Sequence, residues 1–193
     1  MGLAPWRSPL ARALHLNRSL VYARYVQLAT VDRDRRPANR TVVFRGFLDD
    51  DNQLQFITDQ RSAKIEHIDH SPWGEVCWYF PKTREQFRLL GHLTLVAADY
   101  PDATLVAARQ QLWQALSDAA RLQFAWPNPG VERSPEAAFS PPAPDPLTPL
   151  ANFCLLLLAP MQVDHLELRG NPQNRQRYCY NDAQQWAIAE VNP

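Results

Sequence analysis

Hydrophobic and polar positions alternate with period two over most of this chain, and helical spacing interrupts the alternation in three places. Residues 8–23 set Leu10, Leu14, Leu20 and Val21 on one stripe behind a Ser8-Pro9 pair suited to a cap and first turn, and predict a helix. The period then falls to two. Strands are predicted over 25–31, 39–48 and 54–58, separated by polar turns at 32–37 and 49–52. Ser62 opens a predicted short helix over 62–70, and strands follow over 75–80 and 86–96. Residues 103–121 carry Leu105, Val106, Leu112, Trp113 and Leu116 at helical spacing. Eight prolines between 127 and 150 exclude both a helix and a central strand there and predict a long surface loop. Closing strands are predicted over 152–159, 161–168, 175–180 and 184–190. Many short strands joined by tight turns argue for a mainly β protein with peripheral helices, an antiparallel barrel or sandwich. A doubly wound parallel sheet needs crossover helices that these gaps cannot hold.

Composition narrows the reading. The 193 residues suit a single domain, 1–193. The 20 basic and 20 acidic residues cancel, which argues against nucleic acid held by bulk charge and against a polybasic membrane anchor. The apolar run from Cys154 to Ala159 is too short to span a bilayer, and residues 1–8 lack the apolar core of a secretory signal. Three cysteines, Cys77, Cys154 and Cys179, with no CxxC pair, read as reduced thiols of a cytoplasmic protein. His67 and His70 share a face of the 62–70 helix, but Asp69 lies off it, so they read as a solvated face and no metal site is expected.

The six glycines are too scattered for a dinucleotide fingerprint or a P-loop, and neither HExxH nor GxSxG occurs. A phosphate would therefore have to be met by side chains and a helix N-terminus. All basic residues except Lys64 and Lys82 are arginine, whose planar fork matches carboxylates and phosphates, although genomic base composition produces the same bias.

Three segments place such groups among strand residues. In Arg40-Thr41-Val42-Val43-Phe44-Arg45, a regular strand would send Arg40, Val42 and Phe44 to one face and Thr41, Val43 and Arg45 to the other. Taken singly, each arginine reads as an edge residue. In Ile57-Thr58-Asp59-Gln60-Arg61-Ser62-Ala63-Lys64, a strand end meets a helix start amid cations, which suits a phosphate but equally a plain cap with exposed charges. In Arg84-Glu85-Gln86-Phe87-Arg88, the row Arg84, Gln86, Arg88 either faces solvent or lines a pocket.

The ordered set resembles the pyridoxamine 5′-phosphate oxidase-related flavoproteins, the antiparallel FMN-binding split β-barrels, and within them the branch common in cyanobacteria and plants. The resemblance runs from about Ala23 to Val96 and resumes over Trp113–Gly130 and near the C-terminus. It implies a homodimer with FMN at the subunit interface and a small-molecule substrate. By that match Arg40 and Arg45, with the neighbouring Thr41, Val42 and Val43, lie along the flavin. Ile57 and Thr58 contact it by main chain or hydroxyl, and Ser62 and Lys64 hold its phosphate. Gln86 reaches the isoalloxazine, and Arg175 or Arg177 supplies a late arginine.

Two departures matter. The family usually has Arg-Lys where this chain has Ala63-Lys64, and Arg61 is the candidate replacement cation. The Trp and the Arg-Leu-His segment that grip pyridoxamine phosphate in the oxidases are absent from 163–178. The resemblance thus implies FMN binding more directly than that oxidation. Trp126 either stacks on the flavin or plugs the barrel, and Arg109 and Arg121 are candidates for closing the site. Three readings stand: an FMN-dependent oxidoreductase, a non-catalytic flavin-binding carrier or sensor, and a barrel that has lost its cofactor.

Overall fold

The computed structural model describes residues 2–49 and 51–193; Met1 and Asp50, the latter within the expected 49–52 turn, lie outside the described residues. Among these, nine strands build one antiparallel sheet: β1 (Tyr25–Val31), β2 (Pro37–Val43), β3 (Gly46–Phe47), β4 (Leu54–Asp59), β5 (Trp73–Phe80), β6 (Glu85–Val96), β7 (Phe153–Glu167), β8 (Asn174–Tyr180) and β9 (Trp186–Glu190). The order is β2-β1-β5-β6-β7-β4-β3, with β8 on β7 and β9 on β8. The sheet curls into a split barrel, as the sequence predicts. Helices α1 (Arg7–Asn17), α2 (Lys64–His70), α3 (Ala103–Gln114) and α4 (Asp118–Leu122) lie outside it.

Period-two burial along β1, β4, β5 and β6 sends Val26, Leu28, Phe56, Val76, Trp78, Phe80, Phe87 and Leu89 into the barrel. Trp6, Leu10 and Ala13 join the same core from the α1 end. The run Cys154–Leu158 departs from alternation because both faces of β7 are covered. Leu156 and Leu158 face the barrel, whereas Leu155 and Leu157 pack with Val96 against α3. A strand covered on both faces needs no polar alternation. Each large side chain so buried contributes about 1.5–3 kcal/mol.

Four expectations need correction. The predicted 8–23 helix ends at Asn17, whose side chain turns back to the Ala13 carbonyl and accepts from the Lys82 amide. A separate 3-10 turn, Val21–Arg24, follows, and Val21 is exposed rather than on the core stripe. Trp6, not Ser8, occupies the cap position of α1. The predicted 103–121 helix is two, because Ser117 caps α4 by accepting from the Ala120 amide, while Asp102 caps α3. The predicted strand 39–48 is broken at Phe44–Arg45 into β2 and β3. Conversely, the predicted pair 152–159 and 161–168 is one 15-residue strand.

That long strand tolerates Pro160 because β6 shifts register opposite it, between Leu90 and Gly91. A Cβ on Gly91 would lie 2.0 Å from the Ala159 carbonyl oxygen, so only glycine fits. Gly91→Ala is expected to cost about 1–3 kcal/mol through forced backbone displacement, read as a lower urea midpoint at unchanged slope. An unchanged midpoint would show that the bulge absorbs the methyl.

Candidate functional site

The break in the β2–β3 segment creates the site. After Val43 the chain leaves β1: the Phe44 amide donates to the Arg24 carbonyl at 2.8 Å, and Phe44 turns into the core. The Arg45 amide then donates to Gln55 on β4 at 2.9 Å, and Gly46 takes φ +142°, open to glycine. A regular strand would part Arg40 from Arg45; the break brings both to one cavity of about 800 Å³. Every candidate from Arg40 to Lys64, namely Arg40, Thr41, Val42, Val43, Arg45, Ile57, Thr58, Arg61, Ser62 and Lys64, lines that cavity.

Lys64 stands at its polar end, donating to Thr58 Oγ1 at 2.9 Å and Ser62 Oγ at 2.7 Å. Burial, reinforced by the Arg40 charge and opposed by Asp59, lowers the Lys64 pKa to about 8. Arg40 donates through Nη1 to the Leu28 carbonyl and to Thr30 Oγ1, at 3.1 and 2.7 Å. Burial lowers the pKa of Arg40 and of Arg45, and both remain cationic. Ser62 is not the cap of α2: Ala63 holds that position without a side-chain bond, and α2 has only 7 residues. The anion-attracting character of this end therefore comes from side chains rather than from a helix terminus.

Arg61 lines the cavity but does not replace the cation missing at Ala63. Its five donors are committed to protein: Nε and Nη2 to Asp59, Nη2 also to the Phe124 carbonyl, and Nη1 to the Trp126 carbonyl and Asn128 Oδ1. Asp59 also accepts from Asn152 at 2.7 Å. Burial alone would raise the Asp59 pKa, but the hydrogen bonds from Arg61 and Asn152 and the Arg61 charge outweigh it and hold the carboxyl below its ordinary value.

The proline-rich stretch forms a wall of this cavity, which the sequence reading missed by treating it as surface loop. Trp126, Pro127, Val131, Arg133 and Phe139 all line it. Trp126 meets Phe139 edge to face, and Arg133 lies 5.0 Å over the Phe139 ring. Trp126 thus packs in the cavity wall and not in the barrel core. The signal was an aromatic and an arginine interspersed among prolines. Arg109 and Arg121 do not close the site: Arg109 donates to the Leu150 and Phe153 carbonyls, and Arg121 to those of Trp113 and Leu116.

Gln86, Arg175 and Arg177 lie elsewhere in the chain. Gln86 sits on β6 between Tyr79 and Leu166, and Arg84 is in the preceding turn rather than on its row. Arg175 forms a bidentate pair with Asp164, and Arg177 Nε makes one 3.3 Å contact with it. His67 bonds Thr30 rather than standing free in solvent.

The donor set fits a flavin nucleotide. The cavity combines the cations Lys64, Arg40 and Arg45 with two buried donors that lack a partner among the described residues, Arg45 Nε and Trp126 Nε1. A buried unpaired donor costs about 1–3 kcal/mol, which a bound acceptor offsets.

Because the Asp59 pKa is depressed in the folded state, the stability it contributes is present above its unfolded pKa of about 4 and is lost as pH falls through the folded value. Asp59→Asn should therefore lower the urea midpoint at pH 7, by about 1–3 kcal/mol in stability, and flatten its decline in acid. Parallel acid profiles for the two proteins would refute this.

Residues 3–97 match the family model described as pyridoxamine 5′-phosphate oxidase, FMN-binding domain. Pyridoxine/pyridoxamine 5′-phosphate oxidase 2 of Arabidopsis thaliana is 40% identical over 99% of this chain and 98% of its own length. A pyridoxamine 5′-phosphate oxidase-related, FMN-binding protein of Nostoc punctiforme superposes with a TM-score of 0.97 at 63% identity, covering 100% of both chains. PhzG of Burkholderia lata, crystallised with tetrahydrophenazine-1-carboxylic acid, shares the fold at a TM-score of 0.79 and 18% identity, over 98% of this chain and 93% of that one. The chain belongs to the pyridoxamine 5′-phosphate oxidase-related, FMN-binding family.

Proposed function

We propose that this chain is an FMN-dependent oxidoreductase that works as a cytoplasmic homodimer and folds as one domain, 1–193. The observation that carries the reading is the cavity in which Lys64, Arg40 and Arg45 converge beside the unpartnered Arg45 Nε and Trp126 Nε1. When bound, FMN supplies two-electron redox chemistry by accepting hydride from the substrate. Lys64 and Arg40, with the Thr58 and Ser62 hydroxyls, would neutralise and hold its phosphate. Val42, Val43 and Ile57 would give an apolar wall, with Thr41 at the open rim, and Arg45 would donate to ring or phosphate. Arg61 acts from behind, fixing the wall that carries Trp126 and keeping water out.

A second copy completes this site in the reading. Tyr25 borders the cavity and also lies on an outer sheet face with the exposed Trp73 and Tyr79. Gln86 and the Asp164–Arg175 pair belong to neighbouring strands, and a partner covering this face would carry them to the flavin. Arg177 is the better late arginine, because Arg175 is held in both directions by Asp164. The continuous sheet from β1 to β9 supports one domain. The free Cys77, Cys154 and Cys179 support a reducing compartment.

The compounds in the Arabidopsis relative's name, pyridoxine and pyridoxamine 5′-phosphates, are the substrates to test first. The purified protein should retain a two-band flavin spectrum after FMN addition and desalting, and sediment as a dimer. Anaerobic bleaching by either compound identifies the enzyme. Retained flavin that neither compound bleaches favours the carrier or another substrate, and no retained flavin overturns the proposal.

The Lys64 pKa gives a second check. A bound phosphate favours protonated Lys64, so above pH 8 binding takes up a proton. FMN affinity should therefore fall as pH rises from 7 to 9, by up to about tenfold per unit. Lys64→Arg should flatten that dependence, and an unchanged slope in the variant would remove Lys64 from the phosphate site.

A further inference from the structure

At the barrel end formed by the β6 start and the β7 end, Glu85, His165 and Glu167 each direct a ligand atom into one space, with all three atoms within 4.8 Å of one another. Glu85 and Glu167 are direct cross-strand partners, and His165 lies two residues from Glu167 on the same face. Glu85 and His165 are 3% and 4% exposed, so two of the three groups have left water.

Charge balance at this point is unusual for the chain. The other buried carboxylate, Asp164, has Arg175 as partner, and the half-buried Asp59 has Arg61. Glu85 has only His165, whose Nε2 lies 2.9 Å from Glu85 Oε2, and Glu167 pairs with no arginine or lysine among the described residues. Two nearby cations are bonded elsewhere, Lys82 to the Ser19 hydroxyl and Arg169 to the Lys82 carbonyl. Arg12, Lys82 and Arg169 share a cavity of about 440 Å³ with both glutamates, and among the described residues none of them forms an ion pair with either. Two carboxylates held this close repel unless a proton or a cation lies between them.

The surroundings also suit a ligand set. His165 stacks on Phe87 at 4.0 Å and 11°, which fixes the imidazole plane. Asn174 Nδ2 donates to Glu167 Oε2 at 3.2 Å and orients that carboxylate, as outer partners of metal ligands do. Glu167 borders two cavities, one shared with Glu85 and one with His165, so an ion has a path in and a water has room.

We infer that Glu85, His165 and Glu167 form a divalent metal site, selective for zinc, that ties the β5–β6 turn to the end of β7. One imidazole and two carboxylates plus a water give the tetrahedral set zinc prefers, and the nitrogen ligand disfavours magnesium. Binding replaces the hydrogen bond between His165 Nε2 and Glu85 Oε2 with bonds from both groups to the ion. The site lies outside the flavin cavity and is independent of the function proposed above.

The test is calorimetric titration of zinc into full-length protein, chelator-treated and reloaded with FMN, alongside Glu167→Gln. The substitution keeps shape at a half-exposed position, and Glu167 does not line the flavin cavity, so the flavin spectrum reports folding of the variant. One zinc per chain, an affinity about tenfold or more weaker in the variant, and a higher melting temperature of wild type in zinc than in EDTA support the site. Absence of zinc binding by wild type overturns it, as does equal binding by the variant, which would place the ion elsewhere. Magnesium bound as tightly as zinc would overturn the selectivity.

Discussion

The Arg61 guanidinium is the constraint around which the site is organised. Its donors join the end of β4 through Asp59 to the segment 124–128 through two carbonyls and an amide, while Asn152 ties the same Asp59 to the start of β7. Three stretches distant in sequence are thereby held at one point. The proline-rich stretch, with little regular structure of its own, becomes a wall because this fork fixes its beginning and the carbonyl bonds of Arg109 and Trp113 fix its end. Saturating Arg61 in this way leaves Lys64, Arg40 and Arg45 as the cavity cations with donors to spare.

The second constraint is the length of β7. Its first half pairs with β4 and its second half with β8, while β6 accompanies it along the other edge. One strand thus belongs to two regions. Where it meets β4 it supports the cavity lined by Lys64 and Arg40, and where it meets β8 it carries Asp164 with its two arginines.

Much of the architecture was legible because burial in a curled antiparallel sheet writes period two directly into the sequence. Val26, Leu28, Val76 and Trp78 announce their strands. The Lys64 cluster was legible for a similar reason: Thr58, Ser62 and Lys64 are close in sequence and meet across a strand end and one helical turn. Errors fell where one residue's side chain overrode local pattern. Asn17 ended a helix, Ser117 started one, and Pro160 passed unnoticed through a strand because Gly91 on another strand made room for it.

The sequence alone determined where most strands lie, the antiparallel class, the split-barrel resemblance and the neighbourhood of residues 40–64, since these depend on local alternation and short spacing. Tertiary structure alone decided that Arg40 and Arg45 share a cavity, that Arg61 is a fastener rather than a phosphate ligand, and that residues 126–139 form a wall. It also decided that Glu85 meets His165. The reason is physical: a charged side chain's role is set by which partners reach its donors and acceptors first, and those partners come from segments tens of residues away.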